Sequence, residues 1–365
     1  MSNNMKIFEI DGIIFFNECP NSIPDAEFLN MRIRKLRSFL EDTCPSRLLN
    51  GLKYELYFFE SEKLDAQAFK RESENYVIAF STRTIKIIWE NLNTIFKEKT
   101  LLDLFNIEIC DKNTIDFTVR AVFDYMTYFI ALHELFHIVN GHCGYLTKKG
   151  LSCSENWVPL DEDKNLTSQI LEANADISAA KILARYTFLI SYHNLEDKTK
   201  RDEMLPMFFF EIKAMYFAIY NLFLLFSHEY EDSFKDCLEN MLFYDHPFPS
   251  IRMVYTLNKS IQELSTFLKD SEIPVLLNDI LKTCIAYDRV FYANNDFAHA
   301  LQAIAYTKAG ASHILKLHNG WNLIYKRLEE FAFYKLDENE YLDEMPYWVD
   351  ETGDIQILLK QAKGD

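Results

Sequence analysis

Glycine and proline are scarce: nine of each in 365 residues. That scarcity excludes a turn-rich all-β fold and leaves no material for long flexible linkers. A basic stripe is also missing. The formal net charge is −17, and a chain that neutralised nucleic-acid phosphates would need clustered Lys and Arg. Acidity of this size serves solubility and self-repulsion. Cysteine pairs are absent too. The seven cysteines, at positions 19, 44, 110, 143, 153, 237 and 284, are odd in number and include no CxxC. This argues against a disulfide scaffold and for a reduced, intracellular protein. The start, MSNNMKIFEIDG, has no basic stretch followed by an apolar run, so no signal peptide is expected and the expected location is the cytoplasm. A long hydrophobic run is lacking as well. Met204 to Phe226 is interrupted by Pro206, Glu211 and Lys213, and the clean part, Ala214 to Phe226, has only thirteen residues. A membrane span needs about twenty, so a buried core helix is expected there and no membrane partner.

What is present is apolar and aromatic. Hydrophobic residues make up 49% of the chain, with 30 Phe and 20 Tyr. The length suits one large domain or two to three ordinary ones. Lys6 to Phe16 reads as a hairpin around Asp11-Gly12. Asp25 to Glu41 has a helical period in Phe28, Leu29, Ile33, Leu36 and Leu40. Tyr54 to Phe59 and Tyr76 to Phe80 read as short buried strands, followed by a helix through Ile85, Ile88, Trp89 and Leu92 that Ser81 or Thr82 can cap. From Asn113 the pattern turns helical, with Thr114 as expected N-cap and Gly141 at the C′ position. Residues 144–167 read as a loop, about 166–189 as a second helix, and 194–203 as a solvated charged connection. Residues 251–335 read as mostly helical and 337–354 as an acidic edge or lid. The expected class is α+β, predominantly α-helical, with a small β-sheet and a helical C-terminal part. The expected regions are a mixed one over 1–75, a core over 76–255 and a helical one over 256–365.

The chemistry is concentrated in HELFH at 133–137. Histidines four apart on a helix share a face, one turn apart, and their imidazoles can converge on one Zn²⁺. Glu134 is placed to activate a water there. Burying two histidines and a glutamate in an apolar helix without such a use would be costly. A catalytic zinc needs a third protein ligand and one open position. A third histidine of the HExxHxxGxxH type is not available, because Asn140 stands at the glycine position and Cys143 at the last, with His142 displaced by one. LEANADISAAK at 171–181 offers a carboxylate instead. Its small residues, Ala173, Ala175, Ser178, Ala179 and Ala180, admit close helix approach, and 35 residues separate Glu172 from His137. Glu172 is therefore the expected third ligand, and Asp176, one turn on, the expected acceptor of a hydrogen bond from a liganding histidine. HPFPSIR at 246–252 adds His246, suited to donate to an oxyanion, and Arg252, suited to pin the carboxylates. A non-catalytic zinc site acting as a binding module is the competing expectation. Cys143 and Cys153 raise it, since structural zinc favours cysteine, and the intact Glu134 weighs against it.

These three segments, in this order, resemble the gluzincin peptidases. HELFHIVNGH resembles the HExxHxxxGH of the HtpX-like and CAAX-type group, LEANADISAAK their ExxxD segment, and DHPFPSIRM their HPxxxxRI element. The lack of several membrane spans departs from the membrane members and is similar to the soluble Lit-type phage-exclusion peptidases. The ImmA/IrrE-type peptidases share HExxH and a glutamate helix but are shorter. The resemblance covers roughly residues 76–255. It implies a zincin-like core, one Zn²⁺, hydrolysis of a protein or peptide substrate, and a dedicated intracellular target in stress or anti-phage response. It also implies that Tyr76, Val77, Ile78, Ala79 and Phe80 form an edge strand on which extended substrate pairs.

Overall fold

Two positive φ angles in succession, 52° at Asp11 and 82° at Gly12, turn the first chain segment back on itself. This is the type I′ geometry whose twist suits a two-residue hairpin. It joins β1 (Ile7–Ile10) to β2 (Ile13–Phe16), with Ile10 opposite Ile13. The computed structural model describes residues 6–20, 25–44, 52–71, 75–109, 111–148, 162–192, 198–227, 240–242, 244–292 and 304–345.

The hairpin is one end of a five-stranded mixed sheet. β3 (Tyr54–Phe59) pairs antiparallel with β2 and parallel with β5 (Tyr76–Ser81), and β4 (Ala66–Lys70) pairs antiparallel with β5. The order is β1-β2-β3-β5-β4. The expected edge strand is thus an interior one. Tyr76 through Phe80 are buried, and β5 is hydrogen-bonded along both sides. It has no free backbone row to offer a substrate. A region boundary at 75/76 is likewise not structural, since it separates β5 from the strands it pairs with. On one face Phe15, Tyr57, Phe59, Val77 and Ala79 form a dry cluster with Phe8, Ile13 and Phe69 against it.

Helix α1 (Ala26–Thr43) buries Leu29, Ile33, Leu36 and Leu40, as its period requires, and packs on β3. Ser81 caps α2 (Thr82–Ile95): its Oγ accepts the Thr84 N–H at 3.0 Å. A short helix, α3 (Lys99–Leu104), precedes α4 (Lys112–Val139). The cap of α4 is Asp111 rather than Thr114, because the Asp111 carboxylate accepts the Thr114 N–H at 3.0 Å and its hydroxyl at 2.6 Å. Those bonds hold the Asp111 carboxyl below its ordinary pKa. Part of the expected loop at 144–167 is helical: α5 spans His142–Lys148 and α6 spans Glu162–Tyr192, with 149–161 outside the described residues.

The charged connection expected at 194–203 is mostly helix, since α7 spans Lys198–Ser227. It runs through Pro206, which forfeits one backbone bond without ending the helix. Leu205–Ser227 is long and apolar enough to cross a membrane by composition, yet 89% of its most apolar window is buried inside the protein. Its two ionisable side chains both have partners inside the protein. Lys213 bonds the Leu104 carbonyl and pairs with Asp279 at 2.9 Å, and Tyr125 Oη donates to Glu211 at 2.7 Å. Burial pushes the Glu211 carboxyl above its ordinary pKa. The core-helix expectation accounts for these contacts.

Further helices are α8 (Pro249–Ser265), with proline in its first turn, α9 (Glu272–Tyr292) and α10 (Lys308–Leu328). The acidic stretch begins strapped to α10 rather than free. Asn319 exchanges two hydrogen bonds with Leu342, and Asn339 donates to the His318 carbonyl. Residues 346–354 lie outside the described ones. The chain divides into two compact units, one drawn from residues 1–90, 127–158 and 321–338 and the other from 91–126, 159–320 and 339–365. The first holds the sheet. The second is helical, and in it α6, α7 and α8 pack on one another. The α+β class with a mostly helical chain and a small mixed sheet is the observed one.

Candidate metal centre

His133 and His137 lie one turn apart near the C-terminal end of α4, both buried, with Nε2 atoms 3.0 Å apart. Two ring nitrogens this close need a proton or a cation between their lone pairs. A tetrahedral ion with nitrogen ligands at about 2.0–2.1 Å separates them by about 3.3 Å, so little adjustment is needed. Glu134 is buried beside them on the same helix.

The chain reverses just beyond. Gly141 has φ 82°, and a Cβ there would lie 2.7 Å from the Ala332 backbone nitrogen, so only glycine fits. The turn brings His142, the first residue of α5, back against His137 with their Nδ1 atoms 3.0 Å apart. If His137 ligates through Nε2, its Nδ1 carries the hydrogen and His142 Nδ1 accepts it, which fixes the tautomer. The end of α4 is tied down further: Phe333 N–H donates to the Val139 carbonyl at 2.9 Å and Tyr334 Oη to Asn140 at 2.7 Å. His142→Leu is expected to weaken metal affinity about 10- to 100-fold while leaving the fold intact. A competition titration with a chromogenic chelator measures this, and unchanged affinity would show that His142 does not orient His137.

The carboxylates stand on α6. Asp176 is fully buried and is held by Arg252 and Tyr255 of α8. Arg252 Nε donates to Oδ2 at 2.8 Å, Arg252 Nη2 to Oδ1 at 3.0 Å, and Tyr255 Oη to Oδ2 at 2.7 Å. This two-pronged geometry is the strong form of the pair. It replaces the expected role of Asp176, since the hydrogen bonds shown at this carboxylate come from α8 and the group at His137 Nδ1 is His142. Arg252 Nη2 also lies 3.8 Å from Glu172 Oε2, an ion-pair distance without a hydrogen bond. His246 Nε2 lies 3.5 Å from Glu172 Oε2, and its Nδ1 lies 2.9 Å from Asp245. Burial pulls the His246 pKa down, but the charges of Glu172 and Asp245 and the Asp245 hydrogen bond outweigh it, and the net direction is upward.

The ligand atoms of His133, His137 and Glu172 all lie within 4.8 Å of one another, in a buried group that can hold a metal ion. Two imidazoles and a carboxylate are the donor set of catalytic zinc sites with one position open. Comparison with known protein families, with curated proteins and with solved structures finds no match. The site is therefore read from its own chemistry. Its three groups stand 4 and 35 residues apart in sequence, and buried polar groups of this kind require partners for their lone pairs, which a metal ion could supply.

Of the other expected residues, Tyr76, Val77, Ile78, Ala79 and Phe80 belong to the buried interior of the sheet. Cys143 directs its thiol to the Ala68 carbonyl at 3.5 Å, and Cys153 lies outside the described residues. Sequence reasoning missed the roles of His142, Asp245 and Tyr255. The first had a signal, a histidine directly after the glycine that ends the helix of the histidine pair. Tyr255 stands three residues after Arg252, on the same helix face.

Proposed function

We propose that the chain is a zinc-dependent endopeptidase with a zincin-like core, acting on an intracellular protein. The observation that carries the reading is the convergence of His133, His137 and Glu172 within 4.8 Å, with a buried acid, Glu134, directly after the first histidine. A structural ion needs no such acid.

When bound, Zn²⁺ would supply Lewis-acid chemistry, polarising a carbonyl and acidifying a water. His133, His137 and Glu172 would hold it. Glu134 accepts a proton from the attacking water and returns it to the departing amine. His246 donates its Nε2 hydrogen to the developing oxyanion. Arg252 holds Asp176 in place and steadies Glu172 from the side. The resemblance to Lit-type and ImmA-type peptidases supports a dedicated target in stress or anti-phage response.

Hydrolysis of an unstructured substrate such as fluorescein-labelled casein is expected from the purified chain. It should stop on treatment with 1,10-phenanthroline and return with added Zn²⁺. Cleavage that persists after complete metal removal would sink the proposal.

A further inference from the structure

Asp245 and His246 sit in a stretch, described at 240–242 and 244–248, that has turns and bends but no helix or strand. Its carbonyls therefore lack regular partners, and buried carbonyls require them. Side chains of α6 supply three. Asn165 Nδ2 donates to the Leu242 carbonyl at 3.0 Å, and Gln169 Nε2 donates to those of Met241 at 2.7 Å and Tyr244 at 2.6 Å. Asn165, Gln169, Glu172 and Asp176 are spaced by 4, 3 and 4 residues and so form one stripe along α6. Their partners advance in step: Leu242, then Met241 and Tyr244, then His246, then Arg252 and Tyr255. The segment is laid along the helix in register.

Gln169 is the centre of this arrangement. It is fully buried. Both its N–H hydrogens go to carbonyls, and its Oε1 accepts from His313 Nε2 at 2.6 Å. A flipped amide would put Oε1 against two carbonyl oxygens, so the orientation is determined. Burial pushes the His313 pKa down to about 4, which leaves a neutral ring in this arrangement. Nothing in the metal group or its acid–base chemistry accounts for this buried pair.

We propose that Gln169, braced by His313, is a positioning residue that holds the Asp245–His246 segment in register so that His246 meets Glu172. The inference rests on the peptidase reading for what His246 does in turnover. Where His246 sits is independent of it.

The test uses the full chain labelled with [¹⁵N]histidine, with and without Zn²⁺, the His246 signal being assigned by its loss in His246→Gln. Gln169→Met and His313→Phe are expected to move and broaden the His246 ring signals while one Zn²⁺ per chain is still bound. Gln67→Met, which removes another buried amide from β4, is expected to leave them unchanged. On fluorescein-casein, Gln169→Met should lose about tenfold or more in kcat, with KM within about twofold, and should lose nothing further in a His246→Ala background. An unmoved His246 signal in folded Gln169→Met overturns the proposal, as does an equal shift in Gln67→Met or a multiplicative loss in the double variant. If Gln169→Met does not fold, His313→Phe decides by the same signals. A wild-type chain that cleaves nothing but shows the expected shifts would retain the positioning role and remove the peptidase reading.

Discussion

Glu134→Gln is expected to bind zinc as the wild type does and to lose about 10²- to 10⁴-fold in hydrolysis. The substitution keeps shape and hydrogen-bonding reach but removes the capacity to take a proton. Because Glu134 is buried, water cannot readily substitute for it, and the side chain is not among the three convergent ligand groups. Occupancy and turnover should therefore separate cleanly. Measuring both on one preparation makes the result decisive: wild-type turnover would remove Glu134 from the mechanism, and lost zinc would make it a ligand.

Arg252→Met should cost about 3–5 kcal/mol of folding stability, because breaking a desolvated pair strands the remaining charge. That charge is Asp176, fully buried and bonded twice by Arg252. Tyr255 would still donate to it, but one neutral donor does not replace a guanidinium. A loss of this size is a large share of a typical total of about 5–15 kcal/mol. Adding Asp176→Asn should restore part of the stability by removing the stranded charge. Urea denaturation of the single and double variants measures both steps. A single variant as stable as the wild type would mean that the pair is not desolvated, and Arg252 would then lose its role in steadying the carboxylate helix.

Local chemistry carried the readable part of the fold. The Asp11-Gly12 turn, the Ser81 cap and the Gly141 helix end each depend on a few neighbouring residues, and each stands where its residue types place it. The convergence of the histidine pair and Glu172 was legible because coordination chemistry demands a third ligand, whatever the intervening fold. Pairing over long range was not legible. β4 is AQAFK, with little β preference in Ala, Gln or Lys, and it exists because β5 offers it a partner. The same strand places β5 in the sheet interior, as its continuous apolar run allows and contrary to the edge position that the resemblance implied. Helix α7 passing Pro206 is another tertiary override, sustained by the burial of the residues that follow.

The immediate surroundings of the site were harder to read than its ligands. A carboxylate one turn from Glu172 suggested a histidine partner, but charge pairing with Arg252 and Tyr255 is the stronger use of a buried Asp176. The group at His137 Nδ1 comes instead from the next histidine along the chain. Gln169 and His313 are 144 residues apart and belong to no recognisable spacing. Their link is visible only once the helices are folded together.

Zinc content of the wild type beside His137→Ala and Glu172→Ala is the most direct test. After purification with limiting zinc and removal of loosely held metal, elemental analysis should find about one ion per wild-type chain. The two variants should hold little or none while remaining folded by circular dichroism. Wild-type content in the Glu172→Ala chain would contradict the account, because it would show that the distant carboxylate does not hold the metal.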